Sequence, residues 1–295
     1  MINKIEIMEV GLRDGLQNIK QNIGLETRLF IVNSLIEAGV KHIQVASFVN
    51  PKLVPQMECA EDLVRKLPQK NDIVYSGLVF NEKGVERAIA TGLKKIETSI
   101  SISESYSKRN LGISVSKSLN NLKNIIGFAE KNGLLIRAGL QCVWGCLYDG
   151  KILKEKIINT LSSIIEMGIN HIALCDTMGM ANPNSISNLL EVVYKKFPNI
   201  KVSIHLHDTY GLGIKNLYSA LQFNINAIDT SFGGIGGSPF IENSKGNIAT
   251  EDSVSLLTKM NYKTEIDIKK VSNISRFLEK EIGSSYFTGK LYKSI

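Results

Sequence analysis

Apolar positions along the chain follow a repeating two-part pattern: an amphipathic segment with a period near 3.6, then a short β-rich run. The junctions look alike: Glu37-Ala-Gly-Val-Lys-His-Ile-Gln-Val-Ala-Ser, Ala90-Thr-Gly-Leu-Lys-Lys-Ile-Glu-Thr-Ser-Ile, Glu130-Lys-Asn-Gly-Leu-Leu-Ile-Arg-Ala-Gly-Leu, Glu166-Met-Gly-Ile-Asn-His-Ile-Ala-Leu-Cys-Asp and Phe223-Asn-Ile-Asn-Ala-Ile-Asp-Thr-Ser. At each, Gly or Asn can take the left-handed conformation that closes a helix, and the run after it has the character of a buried parallel strand. Strands are predicted at Lys4 to Val10, His42 to Ser47, Asp72 to Phe80, Lys95 to Ser101, Leu135 to Val143, His171 to Thr177, Lys201 to Asp208 and Ala227 to Phe232. Helices are predicted near Glu26 to Ala38, Met57 to Leu67, Lys83 to Ala90, Lys117 to Lys131, Lys154 to Met167, Asn184 to Phe197, Gly213 to Phe223 and Thr250 to Met260, with one more from Ile266 to Glu281.

Eight such units in about 260 residues match the size of a (β/α)8 TIM barrel. A doubly wound open sheet is the competing fold, and it would usually carry a Gly-rich phosphate loop after its first strand. Here that strand runs into Gly11-Leu-Arg-Asp-Gly-Leu-Gln, which is not that fingerprint. The expected organisation is a catalytic barrel over residues 1–262 and a short C-terminal helical extension over 263–295, packed on the barrel or on a partner subunit.

Composition narrows the class. With 295 residues, 43% of them hydrophobic, and only 6 Pro, the chain suits an ordered protein with a sizeable core. No apolar run approaches the ~20 residues needed to cross a bilayer, and Met1-Ile-Asn-Lys-Ile-Glu-Ile carries no signal-peptide core, so a cytoplasmic protein is expected. The four cysteines form no C-x-x-C pair, which points to reduced thiols. The net charge of +7 is spread along the chain without a basic block, which argues against nucleic acid. It would favour an anionic small substrate such as a carboxylate or an acyl-CoA.

The candidate chemistry centres on Val202-Ser-Ile-His-Leu-His-Asp-Thr-Tyr-Gly. His205 and His207, two residues apart on a strand, project from one face about 6 to 7 Å apart along the chain, and two co-facing imidazoles can share a metal ion. In a barrel every strand ends at one mouth, so distant residues converge there. Arg13 and Asp14 follow strand one, Gln44 and Ser47 end strand two, Arg137 and Gln141 end strand five, and Asp176 and Thr177 end strand six. Asp14 offers the hard oxygen that Mg2+ or Mn2+ prefers, and His205, His207 and the Asn247 amide would leave positions open for substrate oxygens. A metal held so would stabilise an alkoxide or enolate while a carbon–carbon bond is cleaved or formed. Arg13 would pair with developing charge on a carbonyl oxygen. The Gly-rich stretch Gly233 to Asn247 suggests a mobile lid, with Ser238 as its small proton-donating side chain.

Together these stretches resemble the metal-dependent (β/α)8 lyases whose first strand ends in Arg-Asp-Gly and whose seventh carries His-x-His, and most of all the 3-hydroxy-3-methylglutaryl-CoA lyase family. The likeness rests on Glu9-Val-Gly-Leu-Arg-Asp-Gly-Leu-Gln-Asn, Ser47-Phe-Val-Asn-Pro-Lys-Leu-Val-Pro-Gln-Met, Cys142-Val-Trp-Gly-Cys-Leu-Tyr-Asp-Gly-Lys, Asp176-Thr-Met-Gly, His205-Leu-His-Asp-Thr-Tyr-Gly and Gly246-Asn-Ile-Ala-Thr-Glu-Asp. It implies cleavage of 3-hydroxy-3-methylglutaryl-CoA to acetyl-CoA and acetoacetate with Mg2+ or Mn2+, in a homodimer. By position it assigns Asp14, His205, His207 and Asn247 to the metal, Arg13 to the enolate, and Arg13 with Gln17 to substrate. Two positions depart from the family. A strand-two Glu is replaced by Gln44, and the lid Cys that protonates the departing enolate is replaced by Ser238, a far weaker acid. Catalytic roles are therefore expected for Arg13, Gln44, Ser238 and, as an alternative donor, His207. The departures also leave open a changed substrate or rate, an aldolase or condensing acyltransferase acting on a 2-oxo or hydroxy acid, and a non-catalytic binding homologue.

Overall fold

A computed structural model describes residues 4–237 and 245–295. Eight strands form its centre: β1 (Glu6–Glu9), β2 (His42–Ser47), β3 (Val74–Leu78), β4 (Lys95–Ser101), β5 (Leu135–Gln141), β6 (His171–Asp176), β7 (Lys201–Leu206) and β8 (Ala227–Thr230). They are parallel, run in chain order and close on themselves, with Glu6 to Glu9 of β1 in register with Ala227 to Thr230 of β8. The helices outside are α1 (Leu25–Glu37), α2 (Ala60–Arg65), α3 (Glu82–Ala90), α4 (Glu104–Leu111), α5 (Val115–Lys131), α6 (Lys154–Glu166), α7 (Pro183–Lys196), α8 (Gly213–Ala220) and α9 (Thr250–Lys259), followed by the extension helix α10 (Ile268–Ile282). This is the expected TIM barrel with a C-terminal helical extension.

Strand period explains where the core sits. Leu140, Leu174, Ile204 and Ile228 share a buried apolar layer with the helix residues Leu161, Leu189 and Leu217. Alternation then turns the residues next to them toward the barrel interior. There Glu97 and Asp229, from β4 and β8, each accept from Arg137 of β5, which lies between them. The interior is therefore ionic at its centre, where barrels of this kind usually carry layers of branched aliphatic side chains.

The glycine rhythm has the expected cause. Gly39, after α1, sits at φ 92°, and a side chain there would strike the backbone of Glu265. The Phe223–Asn226 junction differs, because it closes without a left-handed residue. Asn226 uses its side chain instead, and its Oδ1 accepts from Val202 N at 2.9 Å.

Two helices depart from the periodicity. The apolar pattern does not predict α4, since its only buried residues are Tyr106 and Ser107 and so narrow a face leaves little repeat. It is started by Ser103, whose Oγ accepts from Tyr106 N at 3.0 Å. α2 begins later than expected, because Pro55–Met57 forms a separate 3-10 turn. α10 packs on α1 and α9, and the tail beyond it returns to the barrel, where Thr288 N and Gly289 N donate to Gly233 O at 3.2 and 3.0 Å. Among the described residues no helix is long and apolar enough to cross a membrane.

Candidate active site

The site forms where β1, β7 and the segment before α9 meet. After β1 the chain enters a wide helical turn, Gly11–Gly15, in which Asp14 N and Gly15 N both donate to Val10 O. Gly15 is required by close approach: a Cβ there would lie 2.6 Å from the Ile235 side chain. The turn is anchored by Glu9, whose Oε1 accepts from Gly11 N at 2.8 Å and Phe232 N at 3.1 Å, and whose Oε2 accepts from the Thr250 hydroxyl at 2.5 Å. Burial pushes the Glu9 carboxyl up to about 8 despite these three donors.

His205 and His207 meet Asp14 at the barrel mouth. Their Nε2 atoms are 3.1 Å apart, and Asp14 Oδ2 lies 4.0 Å from the first and 3.7 Å from the second. All three residues are buried, with their candidate ligand atoms within 4.8 Å of one another. Asn247 arrives because residues 246–249 run beside the end of β7: Asp208 N donates to Gly246 O at 2.9 Å and Ile248 N to Leu206 O at 3.1 Å. Its Nδ2 donates to Asp14 Oδ2 at 2.8 Å, while its buried Oδ1 has no hydrogen-bond partner.

These donors fit a divalent ion. Two ligands at right angles, each about 2.1 to 2.2 Å from a metal, stand about 3 Å apart, as the two Nε2 atoms do. A buried amide oxygen without a partner is costly unless something else pairs with it. Burial opposes ionisation of Asp14, but the Arg13 guanidinium and the two imidazoles outweigh it and hold the carboxyl well below the usual range. Burial also lowers His207, which favours the neutral imidazole that ligates.

Arg13 is held from two sides. Its Nη1 donates to Asp14 Oδ1 and its Nε to Gln44 Oε1. Arg13, Asp14, Gln17, His205 and His207 all line a cavity of about 770 Å3 that extends from the barrel mouth past Ser47 and Thr177 to Asn110 and Lys117. Gln44 is 1% exposed and reaches the cavity only through Arg13. Ser238 and the centre of the expected lid lie outside the described residues.

Residues 4–278 match the HMGL-like family. The chain belongs to that family. It is 36% identical over 280 residues to the hydroxymethylglutaryl-CoA lyase of Bacillus subtilis, covering 95% of this chain and 94% of that one. It is 34% identical to the cytoplasmic 3-hydroxy-3-methylglutaryl-CoA lyase of Rattus norvegicus, covering 95% and 82%. Among solved structures, an HMG-CoA lyase from Acinetobacter baumannii in complex with coenzyme A and 3-methylmalate superposes with a TM-score of 0.93 at 28% identity, over 99% of this chain and 95% of that one. As a member of the HMGL-like family, the chain is a divalent-metal-dependent carbon–carbon lyase.

The sequence pattern does not single out Asp229, and it places Arg137 at the wrong depth in the barrel. Asp229 lies beside His205 in the β7–β8 register, and its Oδ2 is 3.1 Å from His205 Nδ1. Arg137, expected at the rim, sits in the barrel interior, bonded to Glu97 and Asp229. The signal available for Asp229 was an acid within a run expected to be a buried strand, Ala227-Ile-Asp-Thr. Asp176 does end β6 at the mouth; it accepts from Ala181 N at 3.1 Å, and burial pushes its carboxyl up to about 7.

Proposed function

We propose that this chain cleaves 3-hydroxy-3-methylglutaryl-CoA to acetyl-CoA and acetoacetate, with Mg2+ or Mn2+ held by Asp14, His205, His207 and Asn247. The observation that carries the reading is the convergence of two imidazole nitrogens and one carboxylate, with Arg13 beside them, at the wall of a cavity of about 770 Å3. A divalent ion bound there supplies Lewis acidity toward a substrate hydroxyl and carbonyl. In the cleavage the 3-hydroxyl gives up its proton and its oxygen becomes the ketone of acetoacetate. The C2–C3 bond breaks with its electron pair passing to the acetyl-CoA enolate, and C2 then gains one proton, which balances the one lost from the hydroxyl. Arg13 faces the enolate oxygen and stabilises its charge, and Gln44 orients Arg13 through Nε. Gln17 contacts the substrate, and Ser238 protonates the enolate.

The test is acetoacetate release from this thioester by the purified chain, before and after EDTA. Chelation should stop turnover and Mg2+ or Mn2+ should restore it; turnover indifferent to EDTA would end the reading. A thiol has a pKa near 8.5, and an alkanol ionises several units higher. Ser238→Cys, alone or with Gln44→Glu, should therefore raise kcat roughly ten- to hundred-fold. An unchanged kcat would move the proton donor elsewhere, with His207 the next candidate. We place the protein in the cytoplasm, where four free thiols stay reduced. A homodimer is expected from the family resemblance, and particle mass in solution checks it.

A further inference from the structure

Behind the metal ligands a buried ionic chain crosses the barrel. Arg137 Nη1 donates to Asp229 Oδ1 at 2.6 Å and Nη2 to Asp229 Oδ2 at 3.0 Å. Its Nε donates to Glu97 Oε2 at 3.0 Å, and Nη2 also reaches that oxygen. Ser76 Oγ donates to Glu97 Oε1 at 2.6 Å. Glu97, Arg137 and Asp229 are 4%, 3% and 3% exposed. The chain ends on His205, whose Nδ1 is 3.1 Å from the same Asp229 Oδ2 that Arg137 binds.

We propose that Asp229 and Arg137 are positioning residues that fix the ring and the proton of His205 so that its Nε2 lone pair points at the metal site. The inference rests on the reading of His205 as a ligand. An ionised carboxylate only accepts, so the His205 nitrogen facing it carries a proton, and in the neutral ring that a metal requires the lone pair is then on the other nitrogen, Nε2. The Arg137 fork holds both Asp229 oxygens and leaves the carboxylate one orientation, and Glu97 holds the fork. Buried ion groups of this kind are weak sources of stability compared with apolar packing. Their arrangement here, fixed at both ends and directed at one imidazole, suits orientation.

Two measurements test this. Mn2+ affinity, read by electron paramagnetic resonance of the free ion, should weaken about 10- to 100-fold in Asp229→Asn. Arg137→Lys, which keeps the charge and loses the fork, should show a smaller loss in the same direction. Nitrogen-15 NMR of the imidazoles in metal-free protein should place the His205 proton on Nδ1 in the wild type and shift it toward Nε2 in Asp229→Asn, a change that a merely structural role would not produce. Should Asp229→Asn fail to fold, Arg137→Lys carries both measurements. Wild-type Mn2+ affinity and an unmoved proton in the folded variant would overturn the proposal. Asp14→Ala separates the two readings: undiminished Mn2+ binding there would count against the metal site itself, while the proton position still judges the positioning of His205 by Asp229.

Discussion

Asp14→Ala should abolish metal-dependent turnover, lowering kcat/KM by about 10³-fold or more. Asp14 is the one carboxylate in the ligand cluster, so its removal leaves two neutral imidazoles and an amide as the remaining donors. It also takes one partner from each of two neighbours, which keep their bonds to Gln44 and to Ile235 O. Arg13 loses the partner of its Nη1, and Asn247 Nδ2 loses a bond of 2.8 Å. Asn247 is fully buried, where water does not readily replace a lost partner. His205→Ala should act similarly, since it removes one Nε2 of the pair. Acetoacetate release and Mn2+ titration measured side by side check this, and full activity in either variant would remove the proposed site.

The architecture was legible because each βα unit repeats one local rule, and eight repeats average out errors at the ends. His205, His207 and Asp14 were legible for a related reason: strand period puts the first two on one face, and barrel closure brings the end of β1 to the same mouth. The placement of Asn247 rests on backbone pairing of residues 246–249 with the end of β7, and nothing in the local pattern marks that stretch as strand-like. Asp229 and Arg137 were harder still. Their meaning depends on which residues face each other across a closed interior, and a one-dimensional pattern records alternation without recording opposition. α4 escaped because a surface helix with two buried residues carries too little apolar repeat to register.

Arg13→Met should lower kcat by about 10²- to 10³-fold while metal affinity changes far less. The guanidinium has five N–H donors, and the two bonds that hold it use Nε and Nη1, so neither occupies Nη2. That edge belongs to a side chain that lines the cavity next to the ligands, where it can meet a developing oxyanion without first reorganising. Arg13→Lys separates charge from geometry. A single ammonium keeps the charge but cannot reproduce the fork held between Gln44 and Asp14, so its kcat should remain at least about tenfold below wild type. A kcat near wild type in Arg13→Met, with metal still bound, would show that the enolate is stabilised by other groups. A loss confined to KM would assign Arg13 to ground-state binding instead.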